Sequence, residues 1–213
     1  MKTFLSTFVA VVFLLLARHS VAAQSDVPKI EVGGHYSFIN FNSTGCASCM
    51  RNGFGGRLTY NITRNIAVEG IVNFFPGDVF KIVVPSSVVP KPRLQGLFGL
   101  KAGIRRDKFG VFAKVHPGFM RFTPVEDCRT TDFSSCHDVL KNEFTIDFGA
   151  VAEAYLSRRV MVRFDIGDAY IRYGATKFLE ADTGPQGPVV GVFTNPGFKT
   201  HNLQIGIGAG FRF

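Results

Sequence analysis

The sequence predicts an all-β chain, closed into an eight-stranded antiparallel up-and-down transmembrane β-barrel. Three observations predict it. Apolar residues alternate with polar or small ones over eight stretches of roughly ten residues, the length a tilted strand needs to cross a bilayer. The connections between these stretches are alternately short and long. The last stretch, Asn202–Phe213, puts Leu203, Ile205, Ile207, Ala209, Phe211 and Phe213 on one face, and Asn202, Gln204, Gly206, Gly208, Gly210 and Arg212 on the other. A bare apolar edge strand invites aggregation, whereas one that closes a barrel against the first strand does not.

The chain opens with a basic Met1-Lys2 and an apolar run from Phe4 to Leu16, followed by the small residues Val21-Ala22-Ala23. This pattern predicts a cleaved signal peptide, residues 1–23, and one barrel domain, residues 24–213. No later stretch reaches the roughly 18 apolar residues of a spanning helix. Yet 46% of residues are hydrophobic and 23 are Phe. Alternation hides such hydrophobicity from hydropathy windows. The net charge is +8. In an exported chain whose basic residues are scattered along the sequence, this predicts weak attraction to anionic lipid head groups or surface polysaccharide, and no nucleic acid.

The eight stretches follow in order. Ile30–Phe38 sets Val32, Gly34, Tyr36 and Phe38 against Glu31, Gly33, His35 and Ser37. Phe54–Ile62 sets Phe54, Leu58, Tyr60 and Ile62 against Gly55, Arg57, Thr59 and Asn61. Ile66–Phe75 sets Val68, Val72 and Phe74 against Glu69, Ile71 and Asn73. Leu94–Arg105 sets Phe98, Leu100 and Ile104 against Gln95, Lys101 and Arg105. Phe109–Phe119 sets Val111, Ala113 and Val115 against Phe112, Lys114 and His116, with Pro117 weakening the ladder locally. Phe144–Leu156 has the clearest outer face, Phe144, Ile146, Phe148, Ala150, Ala152, Ala154 and Leu156, against Thr145, Asp147, Val151, Glu153 and Tyr155. Arg159–Tyr170 sets Val160, Val162, Phe164 and Ile166 against Met161, Arg163 and Asp165. Asn202–Phe213 is the eighth. Tyr36, Tyr60, Tyr170, Phe211 and Phe213 suit an interfacial aromatic belt.

Thr63-Arg64-Asn65, Arg106-Asp107-Lys108 and Ser157-Arg158 are tight turns. The gaps Ile39–Gly53, Pro76–Arg93, Arg121–Glu143 and Ile171–His201 are long. Long loops at one rim and short turns at the other define an up-and-down barrel, with the short turns facing the periplasm. Val79–Val84 and Val189–Phe193 are themselves strand-like, either as hairpin extensions above the membrane or as two further barrel strands.

With its terminal Gln-Ile-Gly-Ile-Gly-Ala-Gly-Phe-Arg-Phe, the chain resembles the small bacterial outer-membrane barrels: the OmpA transmembrane domain, OmpX-type proteins and opacity-type adhesins. The resemblance implies a place in the bacterial outer membrane, contact with its lipids, and a C-terminal signal, Phe211 and Phe213, for the barrel-assembly machinery. It implies a structural or surface-interaction role through the long loops, towards adhesion or recognition of surface ligands. A narrow passive pore, a lipid-active enzyme and a soluble lipocalin-like barrel with its faces reversed are the alternatives.

Parity places eleven charges inside: the acids Glu31, Glu69, Asp147, Glu153 and Asp165, and the bases Arg57, Lys101, Arg105, Lys114, Arg163 and Arg212. Eight strands leave room only for side chains, and buried charges must pair. A plugged barrel follows, with Glu153 and Arg163 expected near each other across the Ser157-Arg158 turn. Asp147 and Glu153 stand roughly 20 Å apart on one strand and share no substrate atom. His35 and His116 point inward as hydrogen-bonded filler, and His201 stands near the loop rim with no acid or Ser in a recognisable pattern. No catalytic residue, cofactor or metal ligand is expected. Cys46 and Cys49 fall in the first long loop, Cys128 and Cys136 in the third. Two local disulfides, two cross-loop disulfides or a four-thiolate zinc site remain open, although the second spacing does not suit zinc.

Overall fold

A computed structural model describes residues 27–43, 46–76, 92–122, 125–128, 136–139, 141–184 and 187–213. The expected signal peptide and the Val79–Val84 stretch lie outside the described residues. Eight strands close a barrel: β1 (Ile30–Ser43), β2 (Cys46–Asn61), β3 (Ile66–Phe74), β4 (Pro92–Arg105), β5 (Phe109–Phe122), β8 (Asn142–Tyr155), β9 (Val160–Arg172) and β12 (Lys199–Arg212). β6 (Val125–Cys128) with β7 (Cys136–Val139), and β10 (Thr176–Gly184) with β11 (Gly187–Asn195), form two separate hairpins. Val189–Phe193 thus belongs to a hairpin extension and not to the barrel wall.

Every pairing in the barrel is antiparallel, and β12 closes it against β1 with Val32 opposite Phe211 and His35 opposite Gly208. In the ring, β9 stands across the lumen from β3, and β12 across from β4. Pro117 lies inside β5. The ladder to β8 continues through Pro117 opposite Ile146, while the ladder to β4 lapses opposite Phe98 and Gly99. The missing N–H therefore costs pairing on one side only.

The two faces fall as parity predicts. Leu58, Phe98, Val115, Phe148, Ile166 and Ile207 are exposed on the outside. The charged residues are buried within. A soluble barrel with apolar contents would have the opposite arrangement. Among the described residues no helix is long and apolar enough to cross a membrane.

The strands are longer than the alternation suggested. β1 and β2 run on as one long hairpin where a long irregular loop was expected, so the first gap shrinks to residues 44–45. Above the bilayer no lipid face is required, so the apolar alternation fades while the ladder continues. The short turns are locally fixed. Thr63 Oγ1 accepts from the N–H groups of Asn65 and Ile66, and Ser157 Oγ from those of Arg159 and Val160. Both are hydroxyl turns that bend the chain within a few residues.

Candidate functional site in the barrel lumen

All eleven charges assigned inward line the lumen, and all but Arg57 meet in two linked groups. In the first, Lys101 Nζ lies 3.6 Å from Glu31, 3.1 Å from Glu69, and in contact with Glu153. Arg105 Nη2 adds 3.2 Å to Glu31 and 3.5 Å to Glu153, and Arg212 Nε lies 3.4 Å from Glu31. In the second, Lys114 Nζ lies 2.6 Å from Asp147 and 3.6 Å from Asp165. Lys101 and Lys114 are direct register partners. Such a like-charge pair is unfavourable, and the carboxylates on either side offset it.

Arg163 joins the groups. Its Nη1 and Nη2 donate to the two Glu69 oxygens at 2.5 and 2.9 Å, and its Nε and Nη2 to Asp165 at 2.8 and 2.7 Å. Planar guanidinium matches carboxylate in this forked geometry. Because β9 and β3 face each other, the Arg163–Glu69 pair spans the barrel. Glu153 is the direct register partner of Arg163, as the turn predicts, but lies at 3.6 Å, and the shorter bonds go to Glu69 and Asp165.

Further hydrogen bonds satisfy the carboxylates. Thr59 Oγ1 donates to Glu69 at 2.8 Å, Tyr155 OH to Glu153 at 2.8 Å, and Asn61 Nδ2 to Glu31 at 3.0 Å. His116 is fully buried with Nε2 3.4 Å from Glu69. Arg212 stacks on the Tyr155 ring, 4.0 Å from its centroid. Arg57 is the exception. Only 4% exposed, it has no ion pair among the described residues, and its Nε has no partner. Six inward bases against five acids leave one cation over, and Arg57 is that cation.

Towards the loop rim the filling changes. Asn73 Nδ2 donates to Gln95 at 2.7 Å, and Gln95 and Gln204 bond across the lumen at 3.1–3.2 Å. His35 bonds Asn73 at 2.5 Å. Gly55 is small by necessity, since a Cβ there would stand 2.3 Å from Asn73 Oδ1 and 2.8 Å from His35 Nε2. Above lies an apolar cluster of Ile39, Phe41, Phe75, Met120, Phe122, Ile171 and Tyr173, with Phe198 stacked on Tyr173 at 4.5 Å. An internal space of about 20 Å³ beside the charges is lined by His35, Arg57, Asp147 and Asp165, room for about one water.

Two expectations need correction. His201 does have an acid beside it: Asp168 Oδ2 lies 2.6 Å from its Nδ1 on the outer face near the loop rim. Asp168 continues the outward parity of β9, which was the signal that could have found it. Among the described residues no Ser, Thr or Cys is hydrogen-bonded to His201. Second, Cys46 and Cys49 share strand β2, roughly 10 Å apart at strand rise, whereas a disulfide holds its Cα atoms within about 7 Å. A local Cys46–Cys49 bridge does not fit that strand. Cys128 and Cys136 occupy directly opposite positions of β6 and β7.

The closed wall, apolar outside and ion-paired inside, defines an outer-membrane β-barrel. The chain belongs to the outer membrane protein beta-barrel domain family, which it matches over residues 8–213. Its place is therefore the bacterial outer membrane. No curated protein matches it. Among solved structures it is similar to Ail, the attachment invasion locus protein of Yersinia pestis, with 11% identity, 88% of this chain and 99% of that chain covered, and a TM-score of 0.47. It is similar to the N-terminal β-barrel domain of Pseudomonas aeruginosa OprF, with 11% identity, 88% and 100% coverage, and a TM-score of 0.45. It is also similar to Neisserial surface protein A, with 12% identity, 89% and 100% coverage, and a TM-score of 0.46.

Proposed function

We propose that this protein is a closed barrel that presents its long strand-and-loop extensions at the cell surface, in a structural or surface-interaction role, and conducts nothing. The mature form in this reading is residues 24–213, released by cleavage after Ala23 and assembled through the Phe211 and Phe213 signal. One observation carries the reading: the lumen is bridged from wall to wall by Arg163–Glu69 and, one layer up, by Gln95–Gln204. A conducting pore needs a continuous polar path wider than an ion, with binding weak enough to release it. Here all the inward charges but Arg57 are paired, and an apolar cluster lies above them. What reaches the outside world is the set of extensions above the bilayer, the upper parts of β1 and β2 and the hairpins β6–β7 and β10–β11.

Planar-bilayer recording with the purified protein tests this. The expected trace shows no unitary steps. Reproducible steps that scale with salt would refute the plug and establish the narrow pore.

A further inference from the structure

The mature chain's positive charge is not scattered once folded. The lumen is nearly neutral. The sequences at the loop rim, Arg51 and residues 76–93, 121–143 and 168–199, carry ten Lys and Arg against nine Asp and Glu. Among the described residues the short-turn rim carries Lys29, Arg64, Arg106, Lys108, Arg158 and Arg159 against one acid, Asp107, and Asp26 precedes them in the sequence. These six come from the segment before β1 and all three tight turns. Four of them, Lys29, Arg64, Arg106 and Arg158, line a bowl of about 920 Å³ at the periplasmic mouth, with Tyr155, Arg105 and Arg212 at its floor. Arg64 is partly neutralised by Asp107 at 3.4 Å.

We propose that this bowl is a binding site for an acidic peptide segment in the periplasm. Its volume falls in the range of pockets that take a peptide stretch or a drug-sized ligand. Its cations sit on separate turns around the mouth, so they suit several spaced carboxylates on one strand better than a single small anion. Guanidinium forks predominate, and these pair bidentately with carboxylates. The bowl opens over the barrel axis, while lipid head groups are tethered to chains outside the wall. That position favours a water-borne polyanion over phospholipid. The hydroxyl turns fix the backbone that carries Arg64, Arg158 and Arg159, so little backbone ordering opposes binding there.

Fluorescence anisotropy of a labelled hexaglutamate peptide, titrated with full-length protein in an uncharged detergent at low salt, tests the proposal. Saturable binding is expected, weakened at least tenfold by Arg106→Gln with Arg158→Gln, and lost at high salt. A control pair at the loop rim, Arg172→Gln with Lys199→Gln, should change it less than twofold. None of the four residues belongs to the lumen network, and heat-modified gel mobility verifies that each variant is folded. Absence of saturable binding, or equal weakening by both pairs, overturns the proposal. A third arm reconstitutes the protein in nanodiscs with and without half phosphatidylglycerol. If hexaglutamate fails to bind while the anionic lipid stabilises the wild type and not Arg106→Gln with Arg158→Gln, the rim is a lipid-binding ring and the peptide site is refuted.

Discussion

Glu69→Gln removes the carboxylate on which the plug converges. Wild-type Glu69 accepts two bonds from Arg163, lies 3.1 Å from Lys101, and accepts from Thr59. Lys101 keeps Glu31 and Glu153, and Arg163 keeps Asp165. The lumen, already one cation in excess, becomes two in excess. Breaking a buried pair by removing one partner costs about 3–5 kcal/mol, and the remaining carboxylates put this site towards the lower end. Arg163→Met removes the other partner and leaves the charges balanced, but frees Glu69 and Asp165 together, so a loss of similar size is expected. In the double variant neither stranded charge of the pair remains, and its cost should fall short of the sum by about 2 kcal/mol. Urea unfolding in lipid vesicles, followed by tyrosine fluorescence and by heat-modified gel mobility, gives the three values. If the two losses add to within about 0.5 kcal/mol, the wall-to-wall pair does not exist in the folded barrel.

The other expectations are local. Ala152→Arg places a cation on the lipid face and should destabilise by about 2–4 kcal/mol near the midplane; tolerance like that of a surface site would show the faces misassigned. Arg57→Met removes the unpaired buried cation and should be neutral or stabilising by about 1 kcal/mol in the same unfolding assay; a loss of more than about 1 kcal/mol would reveal a carboxylate partner. Gly55→Ala drives a methyl into the His35–Asn73 bond and should cost about 1–3 kcal/mol as overpacking. Non-reducing peptide mapping should yield a Cys128–Cys136 linked pair, as their opposite register positions allow; a Cys46–Cys49 pair would mean that β2 does not extend through both.

Period-two alternation made the eight strands and the inward set of charges legible, because every spanning strand must show lipid one face and the lumen the other. The same signal could not reach Ile39, Phe41, Phe122 or Tyr173. These sit in the loop-side third of the barrel, where no lipid face is enforced and apolar residues fill the inside instead. Nor could it pair the charges. Glu69 and Arg163 are 94 residues apart, and they meet only because β3 and β9 fall on opposite sides of a closed ring with a particular stagger. Glu153 and Arg163, joined by one tight turn, were within reach of a register count. Their opposition was readable, but the preference of Arg163 for Glu69 and Asp165 was not. The concentration of positive charge at one rim escaped for the same reason, since its six members are spread from Lys29 to Arg159 and gather only when three turns share one end.

The plug also bears on how this chain keeps its register. Replacing buried ion pairs with apolar groups often leaves stability unchanged or raises it, so the network does not exist only to hold the barrel together. A one-residue slip of any strand turns its inward face outward. Slipping β4 would turn Lys101 and Arg105 towards lipid, at about 2–4 kcal/mol for a cation near the midplane and less for Arg105 close to the short-turn rim, and would leave Glu31, Glu69 and Glu153 short of partners. An apolar lumen would carry no such penalty, and a slipped barrel would be nearly as stable as the native one. An apolar inner face would also turn each alternating strand into a continuous apolar run, of the kind that is retained in the inner membrane or aggregates before reaching the outer one. Alternation holds the mean hydropathy of this Phe-rich chain to +0.17. The ion-paired lumen thus answers two requirements at once: a chain polar enough to cross the periplasm, and a barrel that closes in one register.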